Sequence, residues 1–353
     1  MVGGRRRRLV LELLALAAVL LAAACTSQSE EAGVAGPPAG GTKSSFVIGY
    51  DTYWLGNSWS VQLAAEFRAS VSRHGAQIDR VVYTQSDNDA QKQISNVDSM
   101  ISRKVDAIIM TPVSPQAAVP IIKKANAARI PVILLGADAN TDTYTSLVTV
   151  DDTAIGRVGA QWLVDRLGGK GDIYVLDGVA GNPVNEQRRA GAQEVFARHP
   201  GIRVVASAAA SWDQAEAKRA VTNMLAAHPQ VDGVWSQGGA MTLGAVEAFR
   251  ADGHPLVPMT GEGNNGLLKV WQQLGPDSGF DAIGVSKPTW LADEALKVTL
   301  RVLTGQPYRK DDRKEPPAVT SANLPSLVQP DLPDDFWVDT RLDPAQIRSM
   351  FNG

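Results

Sequence analysis

Beyond residue 45 the chain alternates short apolar runs with longer segments of helical period. The runs read as strands: Phe46 to Tyr50, Ile78 to Tyr83, Ala107 to Thr111, Val132 to Leu135, Leu147 to Val150, Ile173 to Asp177, Val204 to Ala208, Gly233 to Ser236, Val257 to Met259 and Ala282 to Val285. Between them lie helix-length stretches. In one of these, Ala90 to Arg103, the residues Ile94, Val97 and Ile101 form a single apolar stripe that would face a sheet. Regular alternation of this kind predicts an α/β fold of βαβ units with parallel sheets.

The pattern also repeats at long range. RHGAQIDRVVY from Arg73 is echoed by RHPGIRVVA from Arg198, and KVDAIIM from Lys104 by QVDGVWS from Gln230. A period this long predicts two similar doubly wound lobes in tandem, not a short-repeat solenoid. After Pro307 the pattern fades into a charged run, 309 to 315, and a proline-rich run, 316 to 333. Only Asp343 to Phe351, with Ile347 and Phe351 on one face, reads again as a short helix.

The amino-terminal end follows different rules. Arg5 to Arg8, an apolar stretch from Leu9 to Leu21 interrupted by Glu12, and Ala22 to Ala24 before Cys25 have the three-part layout of a secretory signal. The segment resembles a bacterial lipoprotein signal, which implies cleavage before Cys25 and a lipid, palmitate included, on its sulfur. Ala22 stands where that pattern prefers leucine, and an ordinary secretory peptide is the alternative. Cys25 is the only cysteine, so it forms no internal disulfide. Residues 26 to 45, rich in Ser, Gly, Ala, Pro and Glu, read as a flexible tether to the membrane.

Composition narrows the function. Of 353 residues, 44% are apolar and 20% charged, an ordinary globular mixture. The net charge is −3, and removal of the first 24 residues leaves 30 basic against 36 acidic groups, which argues against a nucleic-acid partner. The four histidines are scattered, with three at expected helix ends, and no zinc spacing, nucleophile elbow or phosphate loop is present. Neither a metal nor a cofactor is expected. Gly261-Glu262-Gly263-Asn264-Asn265-Gly266 matches the dinucleotide fingerprint letter by letter. It lacks the acidic residue at the end of the following strand and carries a carboxylate inside the loop, so it reads as a ligand loop or turn.

In open α/β sheets, ligands bind beyond the carboxyl ends of the strands. The turn after the first strand, with Asp51, Asn57 and Trp59, is therefore a candidate ligand edge. From Phe46 to Gln306 the chain resembles the type I periplasmic substrate-binding proteins, in particular the ribose-binding branch that serves ABC sugar importers. The motifs that carry the resemblance run in order: Asn57-Ser58-Trp59-Ser60, Thr111-Pro112-Val113-Ser114, Ala125-Asn126 with Ile130-Pro131-Val132, Gly178-Val179-Ala180-Gly181, Arg188-Arg189-Ala190-Gly191, Trp212-Asp213, and Met241-Thr242-Leu243-Gly244.

The resemblance implies two lobes joined by a multi-strand hinge, 46–150 with 287–310 and 151–286 with 311–353, and a ligand cleft between them. It implies a sugar, polyol or derivative as ligand, an ABC permease as partner, no catalysis, a monomer, and a place outside the cytoplasm on a lipid anchor. The ligand residues it points to are Asn57, Trp59, Thr111, Arg188, Trp212, Gln237 and Glu262. Trp59 and Trp212 suit the C–H faces of a sugar from opposite lobes, while Arg188 and Glu262 suit its hydroxyls. Three departures, Gly136-Ala137, Gly238-Gly239 and Ser286, remove polar contacts of the ribose pattern. They predict a pocket enlarged for another ligand, lined in its altered part by Asp51, Asp138 and Trp290. The rival readings are a sensory binding protein for a membrane receptor, an extracellular carbohydrate-active enzyme using Glu262 and Asp138, and a repressor of the same fold. The repressor is disfavoured because the signal segment stands where a DNA-binding motif would lie.

Overall fold

The computed structural model describes residues 43–275 and 278–351. The signal segment, Cys25 and nearly all of the tether lie outside the described residues. The strands are β1 (Phe46–Thr52), β2 (Ile78–Gln85), β3 (Ala107–Met110), β4 (Val132–Leu135), β5 (Ser146–Val150), β6 (Lys170–Asp177), β7 (Gly201–Ala209), β8 (Gly233–Ser236), β9 (Met259–Gly261), β10 (Ala282–Val285), β11 (Asp311–Lys314) and β12 (Ala318–Val319). The helices are α1 (Ser58–Arg73), α2 (Ala90–Ser102), α3 (Pro115–Ala127), α4 (Asp152–Arg166), α5 (Pro183–Arg198), α6 (Gln214–Ala227), α7 (Gly239–Asp252), α8 (Asn265–Leu274), α9 (Leu291–Leu303), α10 (Leu324–Leu327) and α11 (Pro344–Phe351).

They build two sheets of six strands with matching order, β11-β5-β4-β3-β1-β2 and β12-β10-β9-β8-β6-β7. The central strands β3, β4, β8 and β10 are buried at every position. That is why they read as unbroken apolar runs: a parallel sheet covered by helices on both faces has no wet side. The edge strands β2 and β7 carry exposed positions throughout. The long-range repeat has a structural cause. Asp106 accepts from the backbone N–H of Val47, and Asp232 from that of Asp172, each at 2.7 Å, so the same aspartate ties the entrance of the first strand in both lobes.

Helix starts follow local chemistry. Asn57, Asp89, Ser114, Asp151, Asn182, Asp213 and Asn264 each accept a backbone N–H of the first turn that they precede.

The chain crosses between lobes at 150–152, 285–291 and 314–318. The boundary differs from the expected one at 311. β11 pairs in parallel with β5 in the first sheet, and the chain rejoins the second only at β12, antiparallel to β10.

The tail is a fourth tie between the lobes. On the second lobe, the N–H groups of Asn265 and Gly266 at the start of α8 donate to the carbonyls of Phe336 and Asp334 at 2.8 and 2.9 Å. Asn265 also donates to the carbonyls of Gln329, Leu332 and Pro333. The glycines of the fingerprint permit this approach: a β-carbon on Gly266 would stand 2.8 Å from Asp334 and one on Gly263 2.9 Å from Asp339. The first-turn amides that a phosphate would need are thus already bonded to the chain itself.

On the first lobe, buried Gln62 holds both backbone groups of Trp337, at 2.8 and 3.0 Å, and buried Glu66 accepts from Arg341 N at 2.8 Å and from the Thr340 hydroxyl. Beyond, Ile347 of α11 packs against the core of the second lobe.

Candidate functional site

The two lobes present the carboxyl ends of their strands to the space between them, and the charged groups of the site stand there. Glu262 follows β9, Asp152 follows β5 at the first crossing, Lys287 follows β10 at the second, and Arg188 comes from the first turns of α5. All four are buried, with 4 to 7% of each residue exposed. Lys287 Nζ lies 2.6 Å from Asp152 Oδ2, Asp152 Oδ1 lies 3.1 Å from Arg188 Nε, and Arg188 Nη1 lies 3.0 Å from Glu262 Oε1. The charges alternate along this chain.

Packing brings Arg188 there. α4 and α5 touch so closely that a β-carbon on Gly156 would fall 1.9 Å from the Arg188 carbonyl and one on Gly191 2.0 Å from that of Thr153. The glycine of the Arg-x-x-Gly motif therefore serves helix contact, and the contact sets the arginine over Asp152. Arg188 Nη1 also donates to the Gln237 carbonyl at 2.9 Å.

Burial acts on each charge. It pushes the Glu262 carboxyl above the ordinary range, against the pull of Arg188. It pushes the Lys287 ammonium down, opposed chiefly by Asp152. For Arg188, burial works the same way, but Glu262 and Asp152 outweigh it and hold the guanidinium pKa above its usual value.

Two tryptophans stand at the site on different lobes. Trp59 donates from Nε1 to the Lys287 carbonyl at 2.7 Å, and its ring lies 3.6 Å from where a β-carbon on Gly136 would be. Trp212, in the left-handed region at φ 57°, lays its indole against Gly178 and Gly238, where β-carbons would come within 2.3 and 2.9 Å of the ring. At Gly238 the indole takes the space that a side chain would fill. Trp212 Nε1 and Gln237 Oε1 are buried and have no hydrogen-bond partner among the described residues. The Gln237 amide nitrogen is held by Asp177 at 3.1 Å.

The other residues singled out by sequence lie elsewhere or are engaged. Asn57 caps α1 through Ser60 N at 2.8 Å. Thr111 holds the Gln93 amide through its carbonyl at 2.9 Å. Asp51 is enclosed in the first lobe and accepts from Thr84, Ser86, Gln93 and Asn96 at 2.6 to 2.9 Å, which accounts for both its oxygens. Asp138 pairs with Arg313 of the edge strand at 3.0 Å, and Trp290 has the Arg341 guanidinium 4.7 Å from its ring centroid. Asp51, Asp138 and Trp290 share no partner, and neither do Asp138 and Glu262.

Asp152 and Lys287 are missing from the sequence reading. The Asp151-Asp152 pair reads as a plain helix start, and its partner lies 135 residues away. Among the described residues no group of three or more His, Cys, Asp or Glu side chains is placed to hold a metal ion, and no helix is long and apolar enough to cross a membrane.

The comparison with known proteins decides the family. A model described as a periplasmic binding protein domain matches residues 48–307. The chain belongs to the periplasmic binding proteins. It is 32% identical over 252 residues to a xylitol-binding protein of Mycolicibacterium smegmatis, covering 70% of this chain and 71% of that one. It is 27% identical over 276 residues to a ribose import binding protein of Bacillus subtilis, covering 78% and 88%. Among solved structures, an ABC transporter periplasmic solute-binding protein from Actinobacillus succinogenes with bound D-allose superposes at a TM-score of 0.70 with 25% identity, over 80% of this chain and all of that one. A solute-binding protein from Bacillus halodurans with bound myo-inositol shares the fold at a TM-score of 0.71 and 24% identity, over 81% and 98%. The matched family domain ends at 307, so the tail that ties the two lobes lies beyond it.

Proposed function

We propose that this periplasmic binding protein is the extracytoplasmic receptor of an ABC importer. It closes its lobes over a sugar, a polyol or a related polyhydroxylated molecule and delivers it to the permease. The observation that carries the reading is two buried polar atoms with no partner among the described residues: the Trp212 indole N–H, a donor, and Gln237 Oε1, an acceptor. A hydroxyl group can serve either, whereas each costs free energy while it has no partner. Trp59 and Trp212 supply apolar faces for the C–H surfaces of such a ligand, and Arg188 and Glu262 its charged hydrogen-bonding groups. Relatives that carry ribose, xylitol and allose in their descriptions support the same ligand class.

In this reading Cys25 carries the lipid that holds the protein at the outer face of the membrane, and the protein acts as a monomer. Ligand contacts with both lobes favour the closed form, which docks on the permease. The test is a thermal-shift screen against pentoses, hexoses, polyols, sugar acids and short oligosaccharides, since a ligand that binds only the folded state raises apparent stability. A rise with at least one uncharged carbohydrate is expected. No rise with any carbohydrate rejects the reading.

A further inference from the structure

Resting on that reading, we propose that Lys287, held by Asp152, sets the charge selectivity of the cleft, matching it to an uncharged polyhydroxylated ligand and against acidic analogues of the same shape. Position is the first ground. Lys287 enters from the second crossing and its ammonium donates to the Gly136 carbonyl at 2.7 Å. Its own carbonyl receives the Trp59 indole N–H at 2.7 Å. A cation, a bare glycine at φ 75° and the edge of a tryptophan thus form one corner, at the carboxyl ends of β4 and β10. Two of the three ammonium N–H bonds are taken, by Gly136 O and Asp152 Oδ2, and the third, with no partner among the described residues, can donate to a hydroxyl.

Charge balance is the second ground. Lys287 and Arg188 face Asp152 and Glu262, so the buried chain sums to zero. A neutral ligand keeps that balance. A carboxylate brought to the same place adds a buried charge with no counterion of its own, which is strongly disfavoured. A pair that only clamped the hinge would change stability when removed. It would not change the preference between two ligands that differ by one charge.

The test is calorimetric titration of the protein and the variants Lys287→Gln, Asp152→Asn and the double variant with matched pairs: xylitol and xylonate, ribitol and ribonate, glucitol and gluconate. Each variant is first checked for native circular dichroism. The wild type is expected to prefer the alditol of any pair that it binds. Asp152→Asn, which makes the cleft positive, should raise the affinity for the acid relative to the alditol at least tenfold, and Lys287→Gln should lower it. The double variant, neutral again, should return to within threefold of the wild-type ratio. If Lys287→Gln does not fold, Asp152→Asn and the double variant carry the test. Ratios that stay within threefold in Asp152→Asn, or a wild-type preference for the acid, overturn the role of Lys287 and leave the carbohydrate reading standing. A wild type that binds no alditol and no sugar overturns both.

Discussion

Gln62→Leu is the sharpest test of the tail as a structural tie. Gln62 is 1% exposed on α1, and its amide donates to the Trp337 carbonyl at 2.8 Å and to the Thr289 hydroxyl at 3.1 Å, while its oxygen accepts from Trp337 N at 3.0 Å. Leucine keeps the volume and removes all three bonds. Thr289 still reaches the Glu66 carboxylate and the Asp339 carbonyl, but the two backbone groups of Trp337 lose their partner. Each such loss costs about 1–3 kcal/mol when the group is dry. Trp337 is half-buried, so water recovers part of this, and the leucine gains about 1 kcal/mol from burial. The net loss is about 1–3 kcal/mol. Urea unfolding is the assay, read as a lower midpoint at constant slope. Thr340→Val, which removes a neighbouring bond to Glu66, should add less to Gln62→Leu than it costs alone, because a tail that has already detached has no more to lose. Stability unchanged within about 0.5 kcal/mol, or full additivity of the two changes, refutes the tie.

Gly156→Ala should lower stability by about 1–3 kcal/mol and weaken ligand binding, since a methyl group 1.9 Å from the Arg188 carbonyl must push α5 away; urea unfolding and titration check both. Trp212→Phe should leave the melting temperature nearly unchanged and reduce ligand affinity, because it deletes an N–H with no partner among the described residues. Burial disfavours the Asp293 anion, yet Lys297, Ser70, Arg73 and Arg341 outweigh it and hold its carboxyl below the ordinary range. Its contribution is therefore present above pH 3.8 and lost as the pH falls through the folded value, so the deficit of Asp293→Asn should be full at neutral pH and shrink in acid. Glu66 has the opposite sign. Burial raises its pKa, the folded state binds more protons above pH 4.5, and stability falls as pH rises, so Glu66→Gln should gain on the wild type from pH 4.5 upward in pH-dependent unfolding.

How legible each part was depends on how local its cause is. The runs Val132 to Leu135, Gly233 to Ser236 and Ala282 to Val285 match strands residue for residue, because a strand buried on both faces needs an unbroken apolar run and nothing distant. The repeated aspartates Asp106 and Asp232 were visible through the internal repeat, because each ties a strand entrance that recurs in both lobes. Asp51 misled, since an aspartate at a strand end looks the same whether it awaits a ligand or already holds four donors. The tail gave no periodic signal because side chains of the helices, Gln62 and Asn265, hold its backbone.

By itself, then, the sequence determined two α/β lobes, the alternation of strands and helices, the tryptophans and Arg188 as site candidates, and the departures from the ribose pattern at Gly136 and Gly238. Tertiary structure alone decided what stands at those glycines: the indole of Trp212 at one and the ammonium of Lys287 at the other. The physical reason is distance along the chain. Hydrophobic period is written in neighbouring residues, whereas the partners Asp152 and Lys287 are 135 positions apart and Gln62 and Trp337 are 275 apart. Only folding both lobes and the tail around one hinge brings those groups within hydrogen-bonding range.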